Sequence, residues 1–424
     1  MDELDRDDEL PPRHRMAGSG GPSPRVLVAV VAAVAVLIAG VWVAIRATSS
    51  SAPTSKAASA RATSTASLPQ AGSTSGSAAA PGDCVSATLA SMTLDQQVGQ
   101  VIMIGGPVDN PTALTSTVKQ YHLGNVFLAG RSTRTAAQLR ADITTVQAAA
   151  GTVPLHVSLD QEGGTVQTLS GPDFPKIPTA VEQGTWDQAV LKNRAADWGT
   201  RLHGIGVTMD LAPVADVVPA GTGSTNPPIG ALNREFGSNP TAVASSVSTV
   251  VGAIQGAGVL TSLKHFPGLG RVKFNTDTST KAVDDQTTAT DPALQPFISG
   301  MKAGSGVVMI SSALYPKLDP SSIAAFSTPI ITGLLRQKLG YDGLVISDDL
   351  GNAVAASTVA VGDRAVRFIQ AGGDVVLSVR TADAKTFSAA LVAEAKSSTA
   401  FAARVKDAVR HVLASKQRAG ILHC

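Results

Sequence analysis

An α/β fold, specifically a (β/α)₈ TIM-like barrel preceded by a transmembrane helix and a disordered linker, is what this sequence predicts, on three observations. Past residue 99, eight short apolar runs alternate with segments of helical periodicity. The runs are rich in β-branched residues and lack polar alternation, as parallel strands covered on both faces require. The 424 residues exceed one ordinary core, yet suit one barrel of about 250 residues plus extensions.

In chain order, residues 1–25 are a polar N-terminal segment, expected on the cytoplasmic side. Residues 26–45 are uninterruptedly apolar between Arg25 and Arg46, and at about 1.5 Å per residue one helix of this length crosses about 30 Å of hydrocarbon. A cleaved signal peptide is the alternative, but its apolar region is usually about 7 to 15 residues long and closes on a small-residue cleavage site. Arg13, Arg15 and Arg25 favour an inside N-terminus, while Arg46, Lys56 and Arg61 lie beyond the helix. The site chemistry tips the choice outward, to a single-pass protein of the plasma membrane with its globular domain extracytoplasmic. Residues 46–82 are mostly Ala, Ser, Thr, Gly and Pro, which bury too little surface to offset chain entropy and make a flexible tether.

The globular part is expected over 83–424, bracketed by Cys84 and Cys424, the only cysteines. In a closed barrel the first strand lies beside the last helix, so the two ends can meet in a disulfide suited to an oxidising exterior. Two unpaired thiols are the alternative. Strands are expected at 101–105, 124–128, 155–159, 208–213, 260–264, 307–311, 344–347 and 375–377. Helices are expected at 135–150, 187–203, 240–256, 328–339, 385–396 and 403–420, several closed by Gly. A doubly wound sheet would need a Gly-rich phosphate turn early, and Gly105-Gly106-Pro107 is a poor one.

Barrels build their sites from loops at the C-terminal ends of the strands. Asp160-Gln161-Glu162-Gly163-Gly164 follows the third run, and Asp216 with Asn233-Arg234-Glu235-Phe236-Gly237 follows the fourth. Lys264-His265-Phe266-Pro267-Gly268-Leu269-Gly270 ends the fifth, and Ser347-Asp348-Asp349-Leu350 ends the seventh. Taken singly, Asp160 or Asp348 suits a helix N-cap, His265 a structural histidine, Lys264 a solvated charge and Arg234 a loop ion pair. Four such rims together suit a ligand with many hydroxyl groups, and an Asp among them suits a nucleophile for an anomeric carbon. Lys and Arg total 34 against 32 Asp and Glu, a net charge of +2 that argues against nucleic acid as a partner.

KHFPGLG at 264–270, with DQEGG at 160–164, LAPVADV at 211–217 and SDDLG at 347–351, resembles glycoside hydrolase family 3, in particular its single-domain β-N-acetylglucosaminidases. The resemblance runs from about residue 94 to residue 422. It implies a glycosidase that retains anomeric configuration through a glycosyl-enzyme intermediate, needs no metal or organic cofactor, and works as a monomer on a β-linked amino sugar of cell-wall, peptidoglycan-derived glycans. It further implies Asp348 as nucleophile and Asp160, Arg234, Lys264 and His265 as substrate-binding residues.

The sequence also departs from the family. The acetylglucosaminidases carry Asp-x-His on the loop after KHFPGHG, whereas this chain offers Asn275-Thr276-Asp277 or, with a two-residue slip, Asp277-Thr278-Ser279. Leu269 replaces a His and Thr165 an Arg. In one reading Asp277 is the acid/base, with Asp284 and Asp285 in reserve. Others are a slow hydrolase or phosphorylase-like variant, or a non-catalytic carbohydrate-binding protein on the same barrel. A wall-spacing protein would instead show no open pocket and Lys264 paired with Asp348.

Overall fold

The structure, a computed structural model, describes residues 81–423. The expected N-terminal segment, transmembrane helix and linker up to residue 80, together with Cys424, lie outside the described residues. Among the described residues, no helix is long and apolar enough to cross a membrane.

Helix α1 (Pro81–Ser91) starts two residues before the expected domain boundary. It carries Cys84, which is buried and disulfide-bonded. Helix α2 (Leu94–Gln100) begins with a reciprocal cap: Gln96 N–H donates to Thr93 Oγ1, and Thr93 N–H donates to Gln96 Oε1. Such a cap stabilises a helix by about 1 kcal/mol.

Eight strands follow: β1 (Ile102–Pro107), β2 (Asn125–Ala129), β3 (His156–Leu159), β4 (Met209–Asp210), β5 (Leu260–Phe266), β6 (Val307–Ile310), β7 (Leu344–Asp349) and β8 (Val375–Ser378). Sequence neighbours are barrel neighbours, and β8 closes in parallel on β1 with Val376 opposite Ile102. Alternation sorts the side chains. Met103, Phe127, Met209, Leu260, Met309, Ile346 and Leu377 fill the interior, while Ile104, Val126, Val157, Leu263, Val308 and Val345 pack in the larger outer cluster. Each such burial is worth about 1.5 to 3 kcal/mol.

The fourth strand is shorter than the expected 208–213. Pro213 has no N–H to give a ladder, so the chain follows β5 through separate bonds, Ser262 N–H to Ala212 O and Ala215 N–H to Lys264 O. The helix expected at 328–339 winds instead as a π-helix, Pro329–Lys338, in which Leu339 N–H reaches back to Leu334 O. Gly333 within it adds no side chain to resist the wider turn.

The floor of the barrel is polar. The last helix spans Thr399–Arg418 and sends Val412 into the interior cluster. Beside it, His156 at the start of β3 contacts Thr208 Oγ1 and Ser415 Oγ at 3.0 and 2.9 Å. The fully buried Lys416 Nζ donates to Gln100 Oε1.

Candidate active site

The opposite ends of the strands carry the charged residues. Asp160 follows β3 directly, after which the chain reverses into a short hairpin of Gln161–Gly163 against Val166–Gln167. Gly163 and Gly164 turn it at φ +103° and +59°, and a Cβ on Gly163 would meet Pro178 O at 2.4 Å. Lys264 and His265 lie within β5, and Asp348 within β7. Arg234 comes from the long loop after β4. Gly270 closes the KHFPGLG segment where a Cβ would sit 1.9 Å from Val217 O, so the loops after β4 and β5 touch backbone to backbone.

The positive charges are held by two carboxylates. Lys264 Nζ lies 2.6 Å from Asp160 Oδ1 and 2.5 Å from Glu162 Oε1. Arg234 grips Glu162 with two bonds, Nε to Oε2 at 2.8 Å and Nη2 to Oε1 at 2.7 Å. Burial alone would push the Glu162 carboxyl up, but Arg234 and Lys264 outweigh it and hold the group at about 2. Burial likewise opposes the charge on Lys264, yet Asp160 and Glu162 raise its pKa. Asp210, buried just below, accepts from Gln161 N–H at 3.0 Å, and its burial pushes it up to about 7.

His265 is oriented from behind. Asp216, fully buried, takes the imidazole Nδ1 at 2.8 Å on Oδ2, while Oδ1 accepts from His265 N–H and Leu269 N–H at 3.1 and 2.8 Å. Tyr315, buried on the other side, donates its hydroxyl to Gly268 O.

These groups open into one cavity of about 490 Å³, lined by Asp160, Arg234, Lys264, His265, Asp277 and Asp348, with Asn275, Thr276, Asp349 and Asn352. All six sequence-predicted site residues are therefore brought together. A larger cavity of about 640 Å³ lies where the strands begin, lined by Gln96, Gln100, Lys119 and His122 and by no carboxylate, so size does not mark the chemistry. The pairing of Lys264 with Asp348 demanded by a wall-spacing protein is not what the site shows.

Asp277 and Asp348 differ in their support. Among the described residues Asp348 Oδ1 accepts only from Asp349 N–H at 2.8 Å, whereas Asp349 is occupied by the N–H groups of Gly351, Val379 and Asn352. Asp277 sits at the mouth, open to solvent by surface area but ringed by loops. That enclosure, followed by the charge of Asp348, pushes its carboxyl up to about 6. Its N–H donates to Asn275 Oδ1 at 2.9 Å, and Thr276 O accepts from Ala355 N–H, tying this loop to the one after β7. The reserve candidates fall away. Asp284 is buried and occupied by Gln286 N–H and by the N–H and hydroxyl of Thr287, and neither it nor Asp285 lines the cavity.

Glu162, Asp216 and Asp349 complete the site. All three stand in the sequence motifs, but their roles rest on partners far along the chain, as with Glu162 and Arg234.

The sequence profile of the Glycosyl hydrolase family 3 N terminal domain matches residues 93–415. A crystal structure of a beta-N-acetylhexosaminidase from Beutenbergia cavernae is 44% identical, with a TM-score of 0.76, covering 77% of this chain and 99% of that one. Beta-hexosaminidase LpqI of Mycobacterium tuberculosis is 31% identical over 297 residues, 67% of this chain and 73% of the relative. A beta-hexosaminidase of Xanthomonas oryzae pv. oryzae is 33% identical over 258 residues, 56% of this chain and 71% of the relative. With the profile spanning most of the described barrel and the motif residues gathered in one pocket, this chain belongs to glycoside hydrolase family 3.

Proposed function

We propose that this protein is a retaining β-N-acetylglucosaminidase that releases terminal β-linked N-acetylglucosamine from cell-wall, peptidoglycan-derived glycans outside the plasma membrane, to which residues 26–45 anchor it. The observation that carries the reading is the presence of Asp277 and Asp348 in one cavity with the Asp160–Lys264–Glu162–Arg234 network. The relatives' names support the amino sugar, and the apolar stretch with its tether supports the location.

Asp348 attacks the anomeric carbon while the Asp277 carboxyl gives its proton to the leaving oxygen, so a covalent glycosyl-Asp348 ester forms as the glycosidic bond breaks. The Asp277 carboxylate then takes a proton from water, whose oxygen displaces Asp348 and restores both groups. Asp160 accepts from sugar hydroxyls, while Lys264, Arg234 and His265 donate to them. Asp277 thus does the work of the histidine missing from this loop.

That missing histidine favours a second reading, a weakly active or inactive sugar-binding protein. Assaying the protein with chromogenic N-acetyl-β-glucosaminide and β-glucoside separates the two. The hydrolase reading expects turnover of the first well above the second, and a loss of about a thousandfold or more in Asp348→Asn. Measurable sugar binding without turnover would move the assignment to the binder.

A further inference from the structure

The cavity has three tiers. Interior barrel residues such as Leu211, Met309 and Leu377 make its floor, and the charged residues at the strand ends form a ring above them. Beyond the ring, on the loops, the lining turns apolar again with Val166, Pro228 and Leu232. Phe274 precedes the lining residues Asn275, Thr276 and Asp277 in sequence.

Among the described residues, only four large hydrophobic side chains are exposed: Val181, Val190, Leu232 and Phe274. The two valines lie on outer helical segments, where scattered exposure has no special meaning. Leu232 at 37% and Phe274 at 47% exposed sit on the loops after adjacent strands β4 and β5. Those loops are stitched together, since Asn226 Nδ2 donates to both Leu269 O and Val272 O at 2.8 Å. On the other side of Phe274, Thr276 O is fixed by Ala355 N–H. Carbonyls two residues before and two residues after Phe274 are thus hydrogen-bonded, so the backbone that carries this half-exposed ring is held on both sides.

We propose that Phe274, with Leu232, forms an apolar platform for the leaving-group sugar of a β-linked disaccharide, a subsite outside the charged ring. This rests on the glycosidase reading. A pyranose has an apolar face of C–H groups and a polar rim. It therefore suits a lone aromatic surface beside hydrogen-bonding groups, here Asn275 and Asn352. The platform is too small for a protein partner, which would cover about 800 Å² on each side.

The test compares kcat/KM for the β-1,4-linked disaccharide of N-acetylglucosamine with that for methyl N-acetyl-β-glucosaminide, whose leaving group has no ring. Phe274→Ser is expected to lower the disaccharide-to-methyl ratio by up to about tenfold, the scale of one lost aromatic contact. Phe274→Tyr should preserve the ratio, and Val190→Ser, which removes similar exposed apolar surface elsewhere, should leave it unaltered. An unmoved ratio in Phe274→Ser, or an equal fall in Val190→Ser, overturns the platform. If the parent protein turns over neither sugar, the hydrolase reading fails separately and calorimetric binding of the same two ligands decides. Tighter binding of the disaccharide, erased by Phe274→Ser, supports the platform; equal or absent binding of the two overturns it.

Discussion

A carboxyl that is to donate a proton near neutrality must have its charged form disfavoured, and at Asp277 loop enclosure and the nearby Asp348 supply this. With its carboxyl pushed up to about 6, the acid form is present below that pH and lost above it. The kcat/KM of the protein is accordingly expected to fall as pH rises through about 6. Asp277→Asn should lose this limb when assayed on an activated aryl glycoside, which needs little protonation; a limb that persists in the variant assigns it to another group. The places of Asp160, Lys264, His265 and Asp348 in the cavity were legible because their motifs stand at strand ends, and that of Arg234 because its motif falls in the loop after β4. Asp277 was only half legible, since a loop has no periodicity to fix its alignment and Asp284 and Asp285 stood nearby. Glu162 was visible in DQEGG, but not its grip on Arg234, 72 residues away. Glu162→Gln leaves two buried cations short of a partner and is expected to destabilise the fold by about 3 to 5 kcal/mol, measured by denaturant unfolding.

Between elements, parallel strands announce themselves through β-branched runs, and all eight were readable before any geometry was known. What the runs did not carry was the truncation of β4, because the effect of Pro213 on a ladder depends on which neighbour would have taken its N–H. Nor did they reveal the staple between helices and strands. Asp374, fully buried just before β8, bonds Arg336 of the π-helix and Arg404 and His411 of the last helix, and it accepts Val345 N–H from β7. Burial would raise its pKa, but Arg336, His411 and Arg404 hold it down at about 2 against an ordinary value of 3.8. A depressed folded pKa gives stability that is complete above the ordinary value and lost as pH falls through the folded one. Melting temperatures taken between about pH 4 and pH 2 should therefore fall less steeply in Asp374→Ala, which begins less stable, than in the parent. Parallel curves would contradict the staple.

On the scale of the whole molecule, the barrel separates its two ends by chemistry. The charged ring faces the cavity at one end, while at the other Lys416 is buried with Gln100 Oε1 as its hydrogen-bond partner. Burial lowers Lys416 to about 7 from 10.5. Between these values the unfolded chain binds the extra proton, so this group makes stability rise with pH from about 7 to about 10.5, and below 7 its full cost is present. Lys416→Met should raise the melting temperature at pH 6 and progressively less toward pH 10; a gain that does not vary with pH would point to packing alone. At the other end, covalent trapping decides whether Asp348 is the nucleophile. The protein is mixed with an activated, ring-fluorinated N-acetyl-β-glucosaminyl fluoride, and its peptides are mapped by mass spectrometry. A glycosyl adduct is expected on Asp348 and absent from Asp348→Asn. An adduct on another carboxylate, or none in protein that turns over the chromogenic N-acetyl-β-glucosaminide, would remove Asp348 from the role of nucleophile.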